Sequence, residues 1–398
     1  QIRLISYMEK MAIVVFKPFK NSILALFILI SFSLCGCRQG NEIYVRNYSS
    51  LPRHNEIVEV VIEPNSDLDS PFVILDNHGE EVPYQFTHDG KLLFPASVEA
   101  NATAVYKIRK GQPMPVDTLL AYTFRPDCQD DLAWENEHSG YRLYGPSYKD
   151  GGGNVHGYDL WCKRMPYPIV KRFYDLDHGE EQISYHKDHG EGFDGYTVGP
   201  TLGAGCNALL MGDSLMYSTA YRNYEILDSG PLRLTIRFEI DPVMLDSVPV
   251  KEVRTISLNR GAHFNRVSTY YDGVKDSISA VAGIVVHADN PNGYNIDNDL
   301  NTVSVVDLSD DVAAGNGEIY IAAIMPNATD SYFKAIDPPV ANAIGQAMLA
   351  KRIAPTDTLV YYFGSAWSKG SVPTAHEWRQ IVETEAQKLR QPLKATLK

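Results

Sequence analysis

Short stretches in which apolar and polar residues alternate recur along most of the chain. The clearest spans residues 234–240, where every second side chain is apolar, as in a strand that buries one face. Comparable short runs, rich in β-branched and aromatic residues, lie at residues 57–62, 72–75, 91–94, 104–108, 253–258, 265–271, 281–286, 319–324 and 359–363. So many strands with little helical periodicity predict an all-β, mainly antiparallel protein.

The spacing of these runs divides the chain into two predicted sandwiches. Residues 37–115 contain a short tether and then strands separated by turn residues, which is typical of a small immunoglobulin-like sandwich. The strands of residues 116–398 predict one large antiparallel sandwich. A single helix is expected at the C-terminal end, because Thr374 and Glu377 form a capping box before residues that are apolar on one face.

Residues 128–206 carry no clear periodicity and are rich in glycine, histidine, tryptophan, tyrosine and charged residues. A long segment of this kind inside a compact domain is usually functional or disordered. Its aromatic content argues against disorder. We therefore expect the functional site in this segment.

The composition agrees with a folded β-protein and excludes one class of partner. Of the 398 residues, 44% are hydrophobic, and the 24 tyrosines favour strands. With 36 Lys and Arg against 49 Asp and Glu, the net charge is −13. We expect no nucleic acid among the partners, since phosphate binding requires clustered cations.

The first 36 residues have the pattern of a bacterial lipoprotein signal peptide. Lys17 and Lys20 precede an apolar run at residues 23–30, which is short for a membrane-spanning helix. The run is followed by Leu34-Cys35-Gly36-Cys37, which resembles a lipobox, and an uncleaved signal anchor is the alternative. We expect a mature chain that begins at a lipidated Cys37. It would be anchored in the cell envelope of a Gram-negative bacterium, on the periplasmic or the outer face.

Trp134, Glu135, Asn136 and Arg142 form the first candidate constellation. The tryptophan offers a flat apolar face for a sugar ring, and the other three side chains offer fixed hydrogen-bonding groups. A structural turn at the surface would have the same composition. The sequence therefore predicts either a sugar-binding site or a solvated turn.

A second constellation lies at residues 160–174, which contain Trp161 and four cations but no carboxylate. Two of these cations, Lys163 and Arg164, follow the tryptophan closely. In a protein of net charge −13, such a segment predicts a site for an anionic ligand group, because a carboxylate pairs well with Arg and Lys in a cleft. A solvated basic loop is the alternative.

The densest constellation lies at residues 185–196, with two histidines, three carboxylates, two tyrosines and three glycines. His186 and His189 are candidates for general acid–base catalysis, because imidazole titrates near neutral pH. They could equally bind a divalent metal, with Asp194 as a third ligand. A surface loop is the third interpretation, so the sequence leaves the cofactor open.

Three outlying residues could close such a site. His287 ends an apolar strand, where it could also be a core residue, and Trp367 and Lys369 lie in a glycine-rich loop. The chain contains neither a GxSxG nucleophile elbow nor a dinucleotide-binding fingerprint. A carboxylate pair such as Glu135 and Glu191 leaves glycoside hydrolysis open.

Two segments of the second half resemble a known fold family. Gly230-Pro231-Leu232-Arg233, and the Arg-Thr-Ile-Ser-Leu-Asn-Arg-Gly of residues 254–261, are similar to motifs of galactose-mutarotase-like supersandwiches in carbohydrate lyases and epimerases. Together with residues 130–136, Tyr185-His186 and the Trp367 loop, they make nearly the whole mature chain resemble one uncharacterised family. Its members are lipoproteins from polysaccharide-utilisation gene clusters of saccharolytic Gram-negative bacteria. Related proteins of ulvan breakdown have been linked to oligosaccharide dehydration.

The resemblance implies a large supersandwich and a lipid-anchored enzyme that performs β-elimination, as a lyase or dehydratase, on an oligosaccharide containing uronic acid. On this hypothesis His186 or His189 is the base and Tyr196 is the acid. Charge that develops on the substrate would be neutralised by Arg142, Lys163 and Arg164. Sugar rings would stack on Trp134, Trp161 and Trp367. Further substrate contacts would come from Glu135, Asn136, Asp194, His287 and Lys369. A non-catalytic glycan-binding lipoprotein and a two-carboxylate glycoside hydrolase are the alternatives.

Overall fold

The computed structural model describes residues 41–62, 71–218 and 220–398. Strands account for 52% of the structure and helices for 9%, so the predicted all-β, mainly antiparallel class is confirmed. The signal peptide, the lipobox and Cys37 lie outside the described residues. Within these ranges, no helix is long and apolar enough to span a membrane.

The N-terminal sandwich contains the first seven strands of the chain. They are β1 (Glu42–Arg46), β2 (Arg53–Val61), β3 (Phe72–Leu75), β4 (Glu81–Val82), β5 (Gln85–Phe86), β6 (Lys91–Val98) and β7 (Thr103–Lys110). One sheet has the order β2-β6-β5, and in the other sheet β1, β7, β3 and β4 are neighbours. Inward side chains of both sheets share one core, because successive residues of a strand point to opposite faces.

A five-stranded sheet occupies most of the segment that showed no periodicity. Its elements and the adjoining helices are β8 (Ala121–Arg125), β9 (Asp131–Glu135), β10 (Ser139–Leu143), α1 (Pro146–Asp150), β11 (Asp159–Lys163), α2 (Val170–His178) and β12 (Gly192–Phe193). Every residue of β9, β10 and β11 is buried. Trp134 on one face packs into the main core, whereas Trp161 on the other face packs beside α2. The absence of alternation therefore reflects strands that are buried on both faces.

Thirteen strands build the large sandwich. They are β13 (Ala204–Met211), β14 (Ser214–Tyr217), β15 (Tyr221–Ser229), β16 (Arg233–Leu245), β17 (Val248–Asn259), β18 (Phe264–Asp272), β19 (Ile278–His287), β20 (Tyr294–Asp297), β21 (Thr302–Leu308), β22 (Glu318–Ile324), β23 (Asp330–Val340), β24 (Ala343–Ile353) and β25 (Thr358–Trp367). A five-stranded sheet has the order β14-β13-β19-β24-β23, and an eight-stranded sheet has the order β15-β16-β17-β18-β25-β22-β21-β20. Both sheets contribute to the largest hydrophobic core of the described chain.

The chain ends with α3 (Ala375–Arg390) and β26 (Lys394–Leu397). The predicted capping box is present, since Thr374 Oγ1 accepts a hydrogen bond of 3.2 Å from the backbone N–H of Glu377. Trp378 and Val382 bury one face of α3 against the outer face of the eight-stranded sheet. Strand β26 then pairs antiparallel with β1, so the C-terminal end of the chain extends a sheet of the N-terminal sandwich.

Candidate functional site

Arg142 on β10 is the centre of a buried cluster of carboxylates. Its guanidinium contacts Asp159 on β11, lies 2.8 Å from Asp194 just after β12, and lies 3.6 Å from Asp131 at the start of β9. The antiparallel register places Arg142 directly opposite Asp159. The expectation that Arg142 offers a free cation to a substrate is therefore wrong, because buried acids already neutralise its charge.

Burial shifts the pKa of two of the carboxyl groups around Arg142. Burial raises the pKa of Asp194 well above its ordinary value, and the charge of Asp159 raises it further, against the attraction of Arg142. Burial also raises the pKa of Asp131, to about 6, and Arg142 opposes this shift. Asp194 therefore holds its proton to a higher pH than an ordinary aspartic acid, since one guanidinium cannot fully offset the burial of three carboxyl groups.

Each cation at residues 160–174 is paired with an acid that lies outside this segment. The buried Lys163 Nζ lies 2.6 Å from Glu135 Oε2 and 2.6 Å from the backbone carbonyl oxygen of Asn136. Arg164 lies 3.0 Å from Asp188. The other two pairs are Lys171 with Asp175 and Arg172 with Glu191. The predicted site of unpaired cations is therefore wrong, because the fold supplies the carboxylates that the local sequence lacks.

Glu135 and Asn136 stabilise local structure. Glu135 also accepts hydrogen bonds of 3.0 and 2.9 Å from the backbone N–H groups of Ile169 and Val170, at the N-terminal end of α2. Asn136 Nδ2 donates to the backbone carbonyls of two residues in the loop after β17, Asn259 and Ala262. Neither side chain is available to a substrate in this structure, and Glu135 forms no catalytic pair with Glu191.

The three tryptophans predicted to stack on sugar rings are core residues. Trp134, Trp161 and Trp367 are 1%, 0% and 1% exposed. Trp134 Nε1 donates to Asn265 at 2.9 Å, and Trp367 Nε1 donates to the carbonyl of Asn316 at 2.7 Å. The prediction is wrong because these rings fill the interior. The side chain of Lys369 is exposed, but its backbone carbonyl accepts a hydrogen bond from Arg164.

His186 and His189 lie at the surface. His186 Nδ1 lies 3.0 Å from the backbone carbonyl of Asp194, and His189 Nε2 lies 3.0 Å from that of Ser184. In residues 41–62, 71–218 and 220–398, no group of three or more His, Cys, Asp or Glu side chains is arranged to hold a metal. The arrangement of His186, His189 and Asp194 as three metal ligands is therefore not found, while the catalytic use of the histidines stays a prediction.

The structure brings two other predicted residues, Tyr196 and His287, next to each other. Their rings are 5.8 Å apart between centroids and nearly perpendicular. His287 ends β19, and its Nδ1 lies 2.7 Å from Asp307 Oδ2 on β21, in the opposite sheet. His287 Nε2 and Tyr196 Oη are buried, and neither atom has a hydrogen-bond partner among the described residues. Asp307 had no sequence signal, since it lies in an ordinary strand.

The contacts of this pair define a proton acceptor and a proton donor. A carboxylate only accepts hydrogen bonds, so the contact with Asp307 selects the tautomer that carries its proton on Nδ1 and its lone pair on Nε2. Burial raises the pKa of Tyr196 well above its ordinary value, and the charges of Asp307 and Asp159 raise it further. The phenol therefore stays protonated at neutral pH. Unpartnered proton-transfer groups of this kind are typical of functional sites.

The segment that carries Tyr196 closes the pair off from solvent. The carbonyl of Gly195 accepts a 3.0 Å hydrogen bond from the backbone N–H of Asp310. Gly199 has a φ of +59°, and a Cβ atom there would lie 2.8 Å from the Cβ of Ala341, in the turn between β23 and β24. This tight packing favours glycine at that position. Tyr196 and His287 are 6% and 5% exposed.

The fold and these contacts define an all-β protein of stacked sandwiches with a buried acid–base pair. The chain belongs to the family described as "Domain of unknown function (DUF4861)", which matches residues 45–395. A curated relative, "Uncharacterized protein P7" of Formosa agariphila, is 26% identical to this chain over an alignment of 414 residues, gaps included. The alignment covers 95% of this chain and all of the relative.

Two solved structures have a weaker likeness to the chain. A protein in the glycosyl hydrolase family 38 from Enterococcus faecalis has a TM-score of 0.48 and 10% identity, over 90% of this chain and 47% of that protein. An α-mannosidase from Enterococcus faecalis has a TM-score of 0.47 and 9% identity, over 90% of this chain and 46% of that protein. The chain therefore spans about half the length of these proteins.

Proposed function

We propose that this protein is a carbohydrate-active enzyme that catalyses β-elimination on an oligosaccharide containing uronic acid, with His287 as the base and Tyr196 as the acid. The observation that carries the proposal is the adjacency of the His287 and Tyr196 rings, 5.8 Å apart between centroids, whose Nε2 and Oη atoms are both buried and both without a partner in the described chain. The proposal moves the base from His186 or His189 to His287. The resemblance of the motifs at residues 230–233 and 254–261 supports a saccharide as the substrate.

The proposed reaction uses both groups in one turnover. His287 Nε2 removes the proton from the carbon next to the uronate carboxyl, and the C–H electron pair forms a carbon–carbon double bond. The bond to the oxygen at the β carbon breaks, and Tyr196 protonates that oxygen as it leaves. His287 then holds the extra proton, and the neighbouring Tyr196 needs one. Release of the proton from His287 to solvent and uptake of one by Tyr196, after the product leaves, would restore the starting state.

Asp307 supports this chemistry through His287. It keeps the lone pair on Nε2 and stabilises the imidazolium that forms when the base takes up a proton. The same pair serves a lyase, in which the leaving oxygen belongs to a second sugar, and a dehydratase, in which it leaves as water. The lipid anchor at Cys37 and the cell-envelope location belong to the same proposal, and loss of palmitate labelling in Cys37→Ala tests them.

Glycoside hydrolysis is a second candidate function, and it is favoured by the carboxyl groups around Arg142. Asp194, whose pKa is raised by burial, lies with Asp159 around the same guanidinium, and two nearby carboxyl groups can serve as an acid and a base. Both carboxyl groups are at most 2% exposed and both contact Arg142. Hydrolysis would require those contacts to break, so the structure favours elimination by the unpartnered pair.

Product analysis on the full chain separates these functions. The protein is incubated with oligogalacturonate and ulvan oligosaccharides while ultraviolet absorbance and new reducing ends are followed. Elimination creates an absorbing double bond, and Tyr196→Phe and His287→Ala should abolish the increase. New reducing ends without absorbance would overturn the proposal in favour of hydrolysis. Binding without either product would overturn it in favour of a glycan-binding protein.

A further inference from the structure

A groove of about 900 Å³ lies between the N-terminal sandwich, the outer face of the eight-stranded sheet and helix α3. Residues 54–59, which include most of β2, form one wall, and residues 377–389 of α3 form the other. Ser257, Arg266 and Tyr362 line its floor. Small-molecule sites commonly have this volume. The proposed elimination uses none of these residues.

The floor is a row of polar side chains across three strands. Arg266 on β18 is directly opposite Ser257 on β17 and directly opposite Tyr362 on β25. Side chains that are opposite each other on neighbouring strands lie on the same face of the sheet. Because Arg266 is exposed and central in this row, its guanidinium is available to a molecule lying in the groove.

Two guanidinium groups of the groove lack a carboxylate partner within the described residues. Arg266 forms no ion pair there, and Arg260 donates only to the backbone carbonyl of Asp117, at 3.0 Å. The other cations that line the groove are paired: Arg233 lies 2.6 Å from Glu59, and Lys388 lies 3.5 Å from Glu385. Four glutamates also line the groove: Glu56, Glu59 and Glu385 are paired with Arg53, Arg233 and Lys388, and Glu377 forms no ion pair among the described residues. Two unpaired guanidinium groups against one unpaired carboxylate favour an anionic ligand.

The rest of the lining suits hydroxyl groups. The groove presents side chains that hydrogen-bond without charge, among them Ser257, Tyr362, Ser371, Gln380 and Thr384. At one end, His263 stacks on His138 with 4.0 Å between ring centroids, and burial lowers the pKa of His263 to about 3. Its ring is therefore neutral. A ligand with several hydroxyl groups and at least one anionic group matches this surface.

We infer that the groove binds an acidic oligosaccharide at a second site, separate from Tyr196 and His287. Arg266 and Arg260 contact its carboxylate or sulfate groups, and Tyr362 lies beside its sugar ring. The choice of a saccharide rests on the proposed function, whereas the choice of an anion rests on the unpaired guanidinium groups. A site of this kind would hold a long acidic glycan on the protein while another part of it reacts.

Calorimetry on the full chain tests this site. The protein carries Tyr196→Phe to stop turnover, and the probes are trigalacturonate, chondroitin sulfate tetrasaccharide and carboxyl-reduced trigalacturonate. Arg266→Ala should weaken the binding of at least one acidic probe at one site by about tenfold or more, the effect of a lost charge-assisted hydrogen bond. Arg237→Ala is the matched control, because Arg237 is an exposed arginine on the outer face of the same sheet but is paired with Glu225. The control should bind like its parent, and the carboxyl-reduced probe should bind more weakly.

Two results would overturn the second site. One is unchanged affinity for the acidic probes in both Arg266→Ala and Arg260→Ala, and the other is the absence of binding by either acidic probe. Neither result depends on catalysis. If Arg266→Ala loses binding while the wild-type protein makes no unsaturated product, the second binding site is supported and the proposed elimination is contradicted. If the wild-type protein makes the unsaturated product and Arg266→Ala does not change binding, the elimination is supported and the second binding site is contradicted.

Discussion

His287 Nδ1 and Asp307 Oδ2 lie 2.7 Å apart, and their contact joins the end of β19 in one sheet to β21 in the other. The contact orients an imidazole whose second nitrogen is buried and unpartnered in the described chain, and whose ring lies 5.8 Å from that of Tyr196 between centroids. By contrast, His186 and His189 lie at the surface and contact backbone carbonyls. His186 Nδ1 also lies 3.8 Å from the buried Asp194 Oδ2, but its own side chain is 54% exposed, whereas that of His287 is 5% exposed. Burial of the ring, together with the shorter contact to its carboxylate, thus distinguishes His287 from the two histidines that the sequence favours as the base.

Replacement of Tyr196 by phenylalanine should remove the acid and keep the ring. We expect the elimination rate to fall by about 10²–10⁴-fold, because the leaving oxygen would lose its proton donor. Substrate affinity should change far less, since the proton is transferred in the transition state. Initial rates from ultraviolet absorbance, with binding by calorimetry, measure the two effects. His186→Ala is the control and should eliminate at the wild-type rate. A slow elimination rate in His186→Ala together with a wild-type rate in Tyr196→Phe would assign the acid–base role to His186.

Asp307→Asn should impair the base without removing it. An asparagine amide can donate to Nδ1, which would place the imidazole proton on Nε2 and remove the lone pair that accepts the substrate proton. We expect kcat to fall at least about 10²-fold with a smaller change in KM, and the acidic limb of the pH–rate profile should change. Asp310→Asn is the matched control, because Asp310 is exposed and three residues away. Equal pH profiles for Asp307→Asn and the wild type would contradict this role.

Arg142→Met should destabilise the fold strongly. The change leaves Asp131, Asp159 and Asp194 buried without their cation, and an uncompensated buried charge costs about 3–5 kcal/mol. Arg164→Ala is the control, because its pair with Asp188 is partly exposed and such pairs contribute about 0–1 kcal/mol. Free energies of unfolding from urea titrations measure both variants. If Arg142→Met lowers the free energy of unfolding no more than Arg164→Ala does, the stability of the buried carboxyl cluster does not depend on Arg142.

Asp131 should make the protein less stable as pH rises through the mildly acidic range. Its pKa is raised in the folded state from 3.8 to about 6, so the folded protein holds this proton more tightly than the unfolded chain. The resulting stability is present below about pH 4 and is lost by about pH 6. It amounts to roughly 2–3 kcal/mol for a shift of about two units.

Urea titrations between about pH 4 and 6 should show this loss in the wild type and a smaller one in Asp131→Asn. Asp89→Asn is the control, because the pKa of Asp89 is shifted in the opposite direction to that of Asp131. Hydrogen bonds from Thr87 and Lys91 lower the pKa of Asp89 to about 2. Stability that depends on Asp89 is lost only as pH falls below about 4. The same pH dependence in Asp131→Asn and the wild type would contradict the assignment to Asp131.

Local patterns predicted the elements of this protein wherever one face of the element meets solvent. Strand β16 has alternating apolar residues at 234–240, and the sequence placed it correctly. Helix α3 was placed by its capping box and its apolar stripe. Strands β9 and β11 gave no such signal, because α2 covers the face of their sheet that would otherwise be polar. The local sequence did not predict helix α2 either. Its first backbone N–H groups donate to Glu135 on β9, a partner that is distant along the chain.

Within residues 128–206, the sequence indicated the right region but the wrong roles. Trp134 and Trp161 have flat apolar rings of the kind on which sugars stack, yet both side chains are buried in hydrophobic cores. The cation of Lys163 has no acid in its own segment, and its partner Glu135 lies 28 residues away along the chain. A local window cannot show such a partner, because only the pairing of β9, β10 and β11 brings the two side chains together.

The amino-acid sequence by itself determined the all-β class, the large antiparallel sandwich and the terminal helix, because these depend on which faces of local elements must be covered. It also supplied Tyr196 and His287 as candidate functional residues. Only the tertiary structure decided that these two lie side by side, that Asp307 orients the imidazole, and that Arg142 is neutralised by acids. Packing of β19 against β21 in the opposite sheet, and of both against the segment after β12, makes the contacts of His287 with Asp307 and Tyr196. Protonation and hydrogen bonding depend on such neighbours in space, and local sequence pattern contains no record of them.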